Sequence, residues 1–196
     1  MADKKLPSRK DAVPKLVGNH EDFLIVTGLA GPAKDMAHLT DQAPHAYMLG
    51  GAMGGALSMA LGLALVQPDK KVLCVTGDGE LLMNMSSLAT IGVVQPPNLS
   101  VICVDNGHYQ ETGNQESHTN LGVDLEKVAQ GCNIAVTRTV ESLEECEETS
   151  PVLRNTNGPV FVLLRVNEDE PPKSKRNWDA ADRKNVFRAA LLGSHY

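Results

Sequence analysis

The sequence predicts one doubly wound α/β domain, a mostly parallel sheet with helices on both faces. Apolar runs recur that are continuous rather than alternating, as parallel strands covered on both sides require. Segments of helical character separate them. Gly, Asp and Asn follow several of the runs directly, at the strand ends where sheets of this class bind ligands.

Residues 23–27 form the first strand run, 72–76 the second, 99–104 the third, 133–136 the fourth, and 160–166 the last and longest. Residues 51–66 and 81–94 carry apolar side chains through several helical turns. Residues 124–131 have an acidic start and a glycine stop, and 142–149 are short and acidic. Pro171-Pro172 opens a polar connector to a final helix at about 179–192. The expected organisation is an N-terminal extension or helix at 1–20, the ligand-binding domain at 21–168, and a connector with C-terminal helix at 169–196 packing on that domain.

Composition narrows the function. A length of 196 residues suits one sizeable core. The net charge of -6 disfavours general attraction to nucleic acid or anionic membrane. The dense basic stretch, Lys173-Ser174-Lys175-Arg176, reads as a solvated tail. No apolar run reaches the about 18 residues of a membrane helix, and the polar start lacks a secretory core. Cys74 and Cys103 fall inside strand runs as small buried hydrophobes. Without any C-x-x-C pair, zinc, iron–sulfur and disulfide frameworks are disfavoured and a cytoplasmic location is expected.

Gly77-Asp78-Gly79 follows the second strand run, and Asp105-Asn106 the third. The glycines permit a tight turn and close approach to a ligand. Asp78 offers a carboxylate oxygen and Asn106 an amide oxygen, the hard donors that Mg²⁺ takes together with phosphates and water. A helix starting near Leu81 would aim its first amides at the same point. Gly-Asp-Gly alone is a common turn. Followed by 26 residues and then Asn, it resembles the diphosphate-binding signature of thiamine diphosphate enzymes.

Two further segments agree. Residues 47–54, Tyr-Met-Leu-Gly-Gly-Ala-Met-Gly, resemble the stretch preceding the cofactor in decarboxylases of that family. Residues 105–115 and the ending Val186-Phe187-Arg188-Ala189-Ala190-Leu191 resemble the sulfopyruvate decarboxylase β subunits and the phosphonopyruvate decarboxylases. The resemblance runs from about Phe23 to Leu191.

The resemblance implies thiamine diphosphate and Mg²⁺ as cofactors. Asp78, Asn106 and the carbonyl of His108 would hold the metal, and two diphosphate oxygens and a water would complete six ligands. The implied cofactor-binding set is Gly50, Gly51, Ala52, Met53, Gly77, Asp78, Gly79, Glu80, Leu81, Asn106, His108 and Tyr109. In this set the Gly51 carbonyl meets the aminopyrimidine and Met53 wedges between the two rings. Glu80 departs from the Ser or Ala usual in these decarboxylases. A carboxylate aimed at a diphosphate would repel it, so Glu80 is expected to point away and offer only its amide. With no Lys or Arg between Lys71 and Lys127, neutralisation falls to Mg²⁺ and backbone amides.

The expected reaction is non-oxidative decarboxylation of a 2-oxo acid, sulfopyruvate- or phosphonopyruvate-like, to an aldehyde and CO₂. The family's aminopyrimidine-activating Glu belongs to a separate pyrimidine-binding domain, for which this chain has no room. A second subunit is therefore expected in a hetero-oligomer, α2β2 or larger. Any cation for a sulfonate would come from that subunit or from residues 173–176. His118 is the candidate proton shuttle of this chain. His20, His38, His45 and His195 show no partner pattern. The competing readings are an acetolactate synthase-like carboligase subunit and a non-catalytic thiamine diphosphate-binding subunit. A Rossmann domain lacks its G-x-G-x-x-G, and an iron–sulfur-linked oxidoreductase its clustered cysteines.

Overall fold

The computed structural model describes residues 5–193 except 176 and 178, so Arg176 and His195 lie outside the described residues. The chain starts with α1 (Arg9–Val17) and then gives β1 (Leu24–Thr27), α2 (Ala30–Thr40), β2 (Ala46–Met48), α3 (Ala56–Val66) and β3 (Val72–Gly77). Next come α4 (Asp78–Met83), α5 (Ser86–Val94), β4 (Leu99–Asp105), the short hairpin β5 (His108–Tyr109) with β6 (Gln115–Glu116), and α6 (Leu125–Gly131). β7 (Val136–Val140), α7 (Leu143–Thr149), α8 (Val152–Asn155), β8 (Val160–Arg165) and α9 (Ala180–Leu192) complete it.

Six strands form one parallel sheet in the order β2-β1-β3-β4-β8-β7. The doubly wound reading holds. The central strands are buried on both faces because both faces carry helices. On one face Ile25, Val75, Ile102 and Val162 pack against Leu16 of α1 and Met36 of α2. On the other, Val26, Cys74, Cys103 and Phe161 pack against Ala60 of α3, Ile91 of α5 and Leu125 of α6. Each fully buried large side chain contributes about 1.5–3 kcal/mol over exposure. α9 lies over edge strand β2, with Arg183 Nη2 donating to the carbonyls of Ala43 (3.2 Å) and Ala46 (3.0 Å) and Phe187 packed 5.8 Å from Tyr47.

Several boundaries differ from the sequence reading. The helix expected at 51–66 starts only at Ala56, because Gly50 and Gly54 take positive φ and keep the preceding turn irregular. The helix expected at 81–94 is two, broken at Asn84, and the first half begins at Asp78 itself. The fourth strand is shifted from 133–136 to β7, because Asn133 at φ 67 closes the turn after α6. Cys74 and Cys103 are buried and unpaired as expected. No helix among the described residues is long and apolar enough to cross a membrane.

At the amino end of the sheet, His20 and His45 stack with ring centroids 5.1 Å apart and Nδ1 of His20 3.0 Å from Nε2 of His45. One nitrogen must accept, so a neutral ring is favoured there. Burial, then the neighbouring His20, lowers the pKa of His45 below its usual value. The unfolded chain thus binds more protons in the window between that lowered value and about 6.5. Stability rises with pH across the window and is lost as pH falls through it. His45→Asn should flatten this slope: the wild type should lose more urea stability than the variant between about pH 7.5 and about pH 5. Parallel losses would remove the pair as its source.

Candidate active site

The chain runs from β1 outward to β2 and returns to β3 on the other side of β1. The carboxyl ends of β1 and β3 therefore flank the crevice where the winding direction reverses, the usual ligand position in open α/β sheets. A cavity of about 220 Å³ opens there. Leu29, Ala30, Gly31 and Pro32 line it from the β1 end, Gly77 to Glu80 from β3, and Asn106, His108 and Tyr109 from β4. Met53 enters from the turn before α3.

Asp78 anchors the arrangement. It begins α4 directly after β3 and is only 3% exposed. Ser117 donates its hydroxyl to Asp78 Oδ2. The Thr119 hydroxyl lies 3.3 Å from the same oxygen and 2.7 Å from Asp105 Oδ1. Asp105 also accepts from the Gly107 amide at 3.0 Å. Burial, then the charge of Asp105, pushes the Asp78 carboxyl up to about 6, and the Ser117 hydrogen bond partly offsets this. A paired cation reverses such a shift.

Two glycines make room that no side chain could share. A Cβ on Gly79 would meet the Tyr109 ring at 2.3 Å, so the ring lies against the Gly-Asp-Gly backbone. A Cβ on Gly28 would come within 1.8 Å of Glu80 Oε2. Glu80 is buried with its carboxylate at the end of β1, where the Leu29 amide donates to Oε2 at 3.4 Å. Burial raises its pKa; the amides of Leu29, Gly54 and Ala56 and the Thr76 hydroxyl act against that. Its Oε1 is a buried atom without a hydrogen-bond partner. The side chain thus turns to the β1 loop, although it still lines the cavity.

The cavity gathers most of the sequence-predicted residues. Gly50, Gly51 and Ala52 stay outside its lining, on the turn that delivers Met53, and the Leu81 side chain goes into the core. Asn106 Oδ1 accepts from the His108 amide at 3.4 Å. The His108 ring is held by the Asn106 carbonyl (3.0 Å from Nδ1), with Glu168 3.9 Å from Nε2. His118 is exposed and reaches the cavity only through Tyr109, whose hydroxyl is 3.5 Å from its Nδ1. Lys173 and Lys175 do not line the cavity. The sequence reading missed the 29–32 turn and Arg9, which lines the cavity from α1.

Among the described residues no cluster of three or more His, Cys, Asp or Glu side chains is placed to hold a metal. The expected set is of another kind, one carboxylate, one amide oxygen and one main-chain carbonyl. These hard donors suit Mg²⁺ sharing its shell with phosphate. The glycine-lined crevice and the two apposed carboxylates suit that group.

Residues 32–164 match the family model described as thiamine pyrophosphate enzyme, C-terminal TPP binding domain. The chain belongs to this family. It is 44% identical over 143 residues to the sulfopyruvate decarboxylase subunit beta of Methanocaldococcus jannaschii, covering 72% of this chain and 74% of that one. It is 34% identical over 161 residues to the phosphonopyruvate decarboxylase of Streptomyces viridochromogenes, covering 82% of this chain and 40% of the relative. Among solved structures, benzoylformate decarboxylase from Polynucleobacter necessarius has a TM-score of 0.67 at 18% identity, over 88% of this chain and 36% of that one. The chain therefore spans about a third of that structure, which shares its fold.

The Gly28–Glu80 contact yields a direct test. Gly28→Ala must expel a buried carboxylate and should cost about 1–3 kcal/mol of unfolding free energy. Adding Glu80→Ser should recover much of that loss in a double-mutant cycle. Additive losses would show that the two positions do not compete for the same space.

Proposed function

We propose that this chain is the diphosphate-binding subunit of a two-chain, thiamine diphosphate- and Mg²⁺-dependent enzyme that decarboxylates a 2-oxo acid of the sulfopyruvate or phosphonopyruvate type. The observation that carries the reading is the single crevice lined by Asp78, Asn106 and Met53 in a chain 44% identical to a sulfopyruvate decarboxylase β subunit. In this reading Asp78, Asn106 and the His108 carbonyl hold Mg²⁺, and the backbone beside Gly79 lies against the diphosphate. Gly77, Glu80 and Leu81 contribute main chain, Tyr109 its ring, and Gly50 to Met53 the wall toward the cofactor's rings. The bound cofactor supplies an electron sink for loss of CO₂. Ser117 and Thr119 orient the Asp78 carboxylate, and His118 relays protons at the rim through Tyr109.

Coverage supports the second subunit. The chain accounts for most of the β subunit's length but only 40% of the phosphonopyruvate enzyme. Nor does the cavity offer an acid for the aminopyrimidine. Asp78 is committed to the metal, Glu80 faces Gly28, and Glu111 pairs with Lys34 at 3.6 Å. The activating Glu belongs to the pyrimidine-domain partner, and the assembly works in the cytoplasm.

Asp78→Ala should abolish Mg²⁺-dependent binding of thiamine diphosphate in calorimetry while the circular dichroism stays native; unchanged affinity would remove Asp78 from the site. With thiamine diphosphate and Mg²⁺, the purified chain should turn over sulfopyruvate at background rate until a pyrimidine-domain partner is added, then release CO₂ and aldehyde in equal amounts. Full activity from the lone chain would refute the two-chain reading. CO₂ with a longer hydroxyketone would identify a carboligase.

A further inference from the structure

Arg9 lies before the segment that matches the family model, yet its guanidinium lines the same cavity as Asp78 and Asn106. It is 2% exposed. Nε donates to both Asp35 oxygens at 3.1 Å and Nη2 donates to Oδ2 at 2.6 Å. Nη1 has no hydrogen-bond partner among the described residues. With one edge committed to Asp35, the other edge is open toward the cavity that Arg9 lines, where a further acceptor can reach it.

The surroundings indicate what that acceptor is. Asp35 lies on α2, and a Cβ at Gly31 would stand 2.3 Å from Nη2 and 2.5 Å from Nη1, so the guanidinium is pressed against the first turn of α2. That turn has no side-chain cap; Leu29 stands at the N-cap position. The Leu29 amide is taken by Glu80 Oε2 at 3.4 Å and Pro32 has no N–H, which leaves the Ala30 and Gly31 amides and the positive end of the helix dipole on the side of the cavity beside Arg9. Two independent donors, an arginine edge and an uncapped helix start, converge on one space.

We propose that Arg9 is a diphosphate-binding residue: its Nη1 edge, together with the Ala30 and Gly31 amides at the α2 start, takes phosphate oxygens of the cofactor, and Asp35 fixes the guanidinium plane. This inference rests on the proposed function. It would add a cation, from a helix far from the motif loops, to the neutralisation by Mg²⁺ and backbone amides that the sequence leads one to expect. Arginine suits the task because its planar fork binds a carboxylate on one edge and a phosphate on another.

The test is calorimetry of the full chain with Mg²⁺ and inorganic pyrophosphate, thiamine diphosphate, or thiamine. Arg9→Lys keeps a charge for Asp35 but loses the second edge. It should weaken pyrophosphate and thiamine diphosphate about tenfold and leave thiamine unchanged. Asp35→Asn should lower the thermal midpoint yet bind pyrophosphate at least as tightly as wild type, because Arg9 is then less neutralised. Affinity lost in both variants in proportion to the thermal midpoint would overturn the proposal, leaving a structural pair. Unchanged pyrophosphate binding in Arg9→Lys with a raised KM for sulfopyruvate in the complete enzyme would also overturn it, assigning Arg9 to the substrate's acid group. Wild-type chain that binds neither pyrophosphate nor thiamine diphosphate would instead refute the site reading itself.

Discussion

Asp78 and Asp105 end neighbouring parallel strands, and their carboxylates are held close in a buried place by Thr119, whose hydroxyl touches both. Like charges there repel, and the hydroxyls of Ser117 and Thr119 make the arrangement tolerable. Those two residues follow the β5–β6 hairpin, so the loop must fold back over the strand ends to deliver them. It does so through Gly107, at φ 71, whose carbonyl accepts from the Ser117 amide at 2.7 Å. The fold-back sets Asn106 at the lip of the crevice and Tyr109 on Gly79. The same hydrogen bonds thus tie the ends of β3 and β4 to the 117–119 segment.

The core strands were legible because burial on both faces forces continuous apolar runs, and β1, β3, β4 and β8 lie within a residue or two of where those runs sit. The edges were less legible. β2 has three residues and merges into the Tyr-Met-Leu-Gly-Gly motif, so nothing in its composition marks a strand. β7 carries Thr137, Arg138 and Thr139 at half-buried or exposed positions on both faces, and its pattern begins only after the turn at Asn133. α2 has no counterpart in the sequence reading; its first turn holds Gly31 and Pro32, and proline is tolerated in a first helical turn where its missing N–H has no partner to lose.

The site divides in the same way. Residues singled out by local type and spacing, such as Asp78 and Asn106 at strand ends, do line the cavity. Residues that matter through distant contacts do not. Gly28 is needed because Glu80, 52 positions later, lies where its Cβ would be. Arg9 is set by Asp35, 26 positions away on another helix. No periodicity links either pair, and only the packed sheet brings them together. His118 is a middle case: its type and loop position suggested chemistry, and the fold places it exposed at the rim, 3.5 Å from the Tyr109 hydroxyl.

The charge inventory of the cavity explains why a metal belongs to the proposed reading. Asp78, Glu80 and Glu111 line it, against one arginine that already neutralises Asp35. An anion approaching this lining alone meets net repulsion, strengthened by the low local dielectric near Asp78 and Glu80. A divalent cation reverses the sign at Asp78, where the field of two carboxylates is concentrated. The Glu80 carboxylate lies at the β1 end, against Gly28 and the Leu29 amide, so its negative charge falls beside the start of α2. In the proposed reading the crevice takes an anion together with its cation, and Arg9 with the Ala30 and Gly31 amides would meet the remaining phosphate charge.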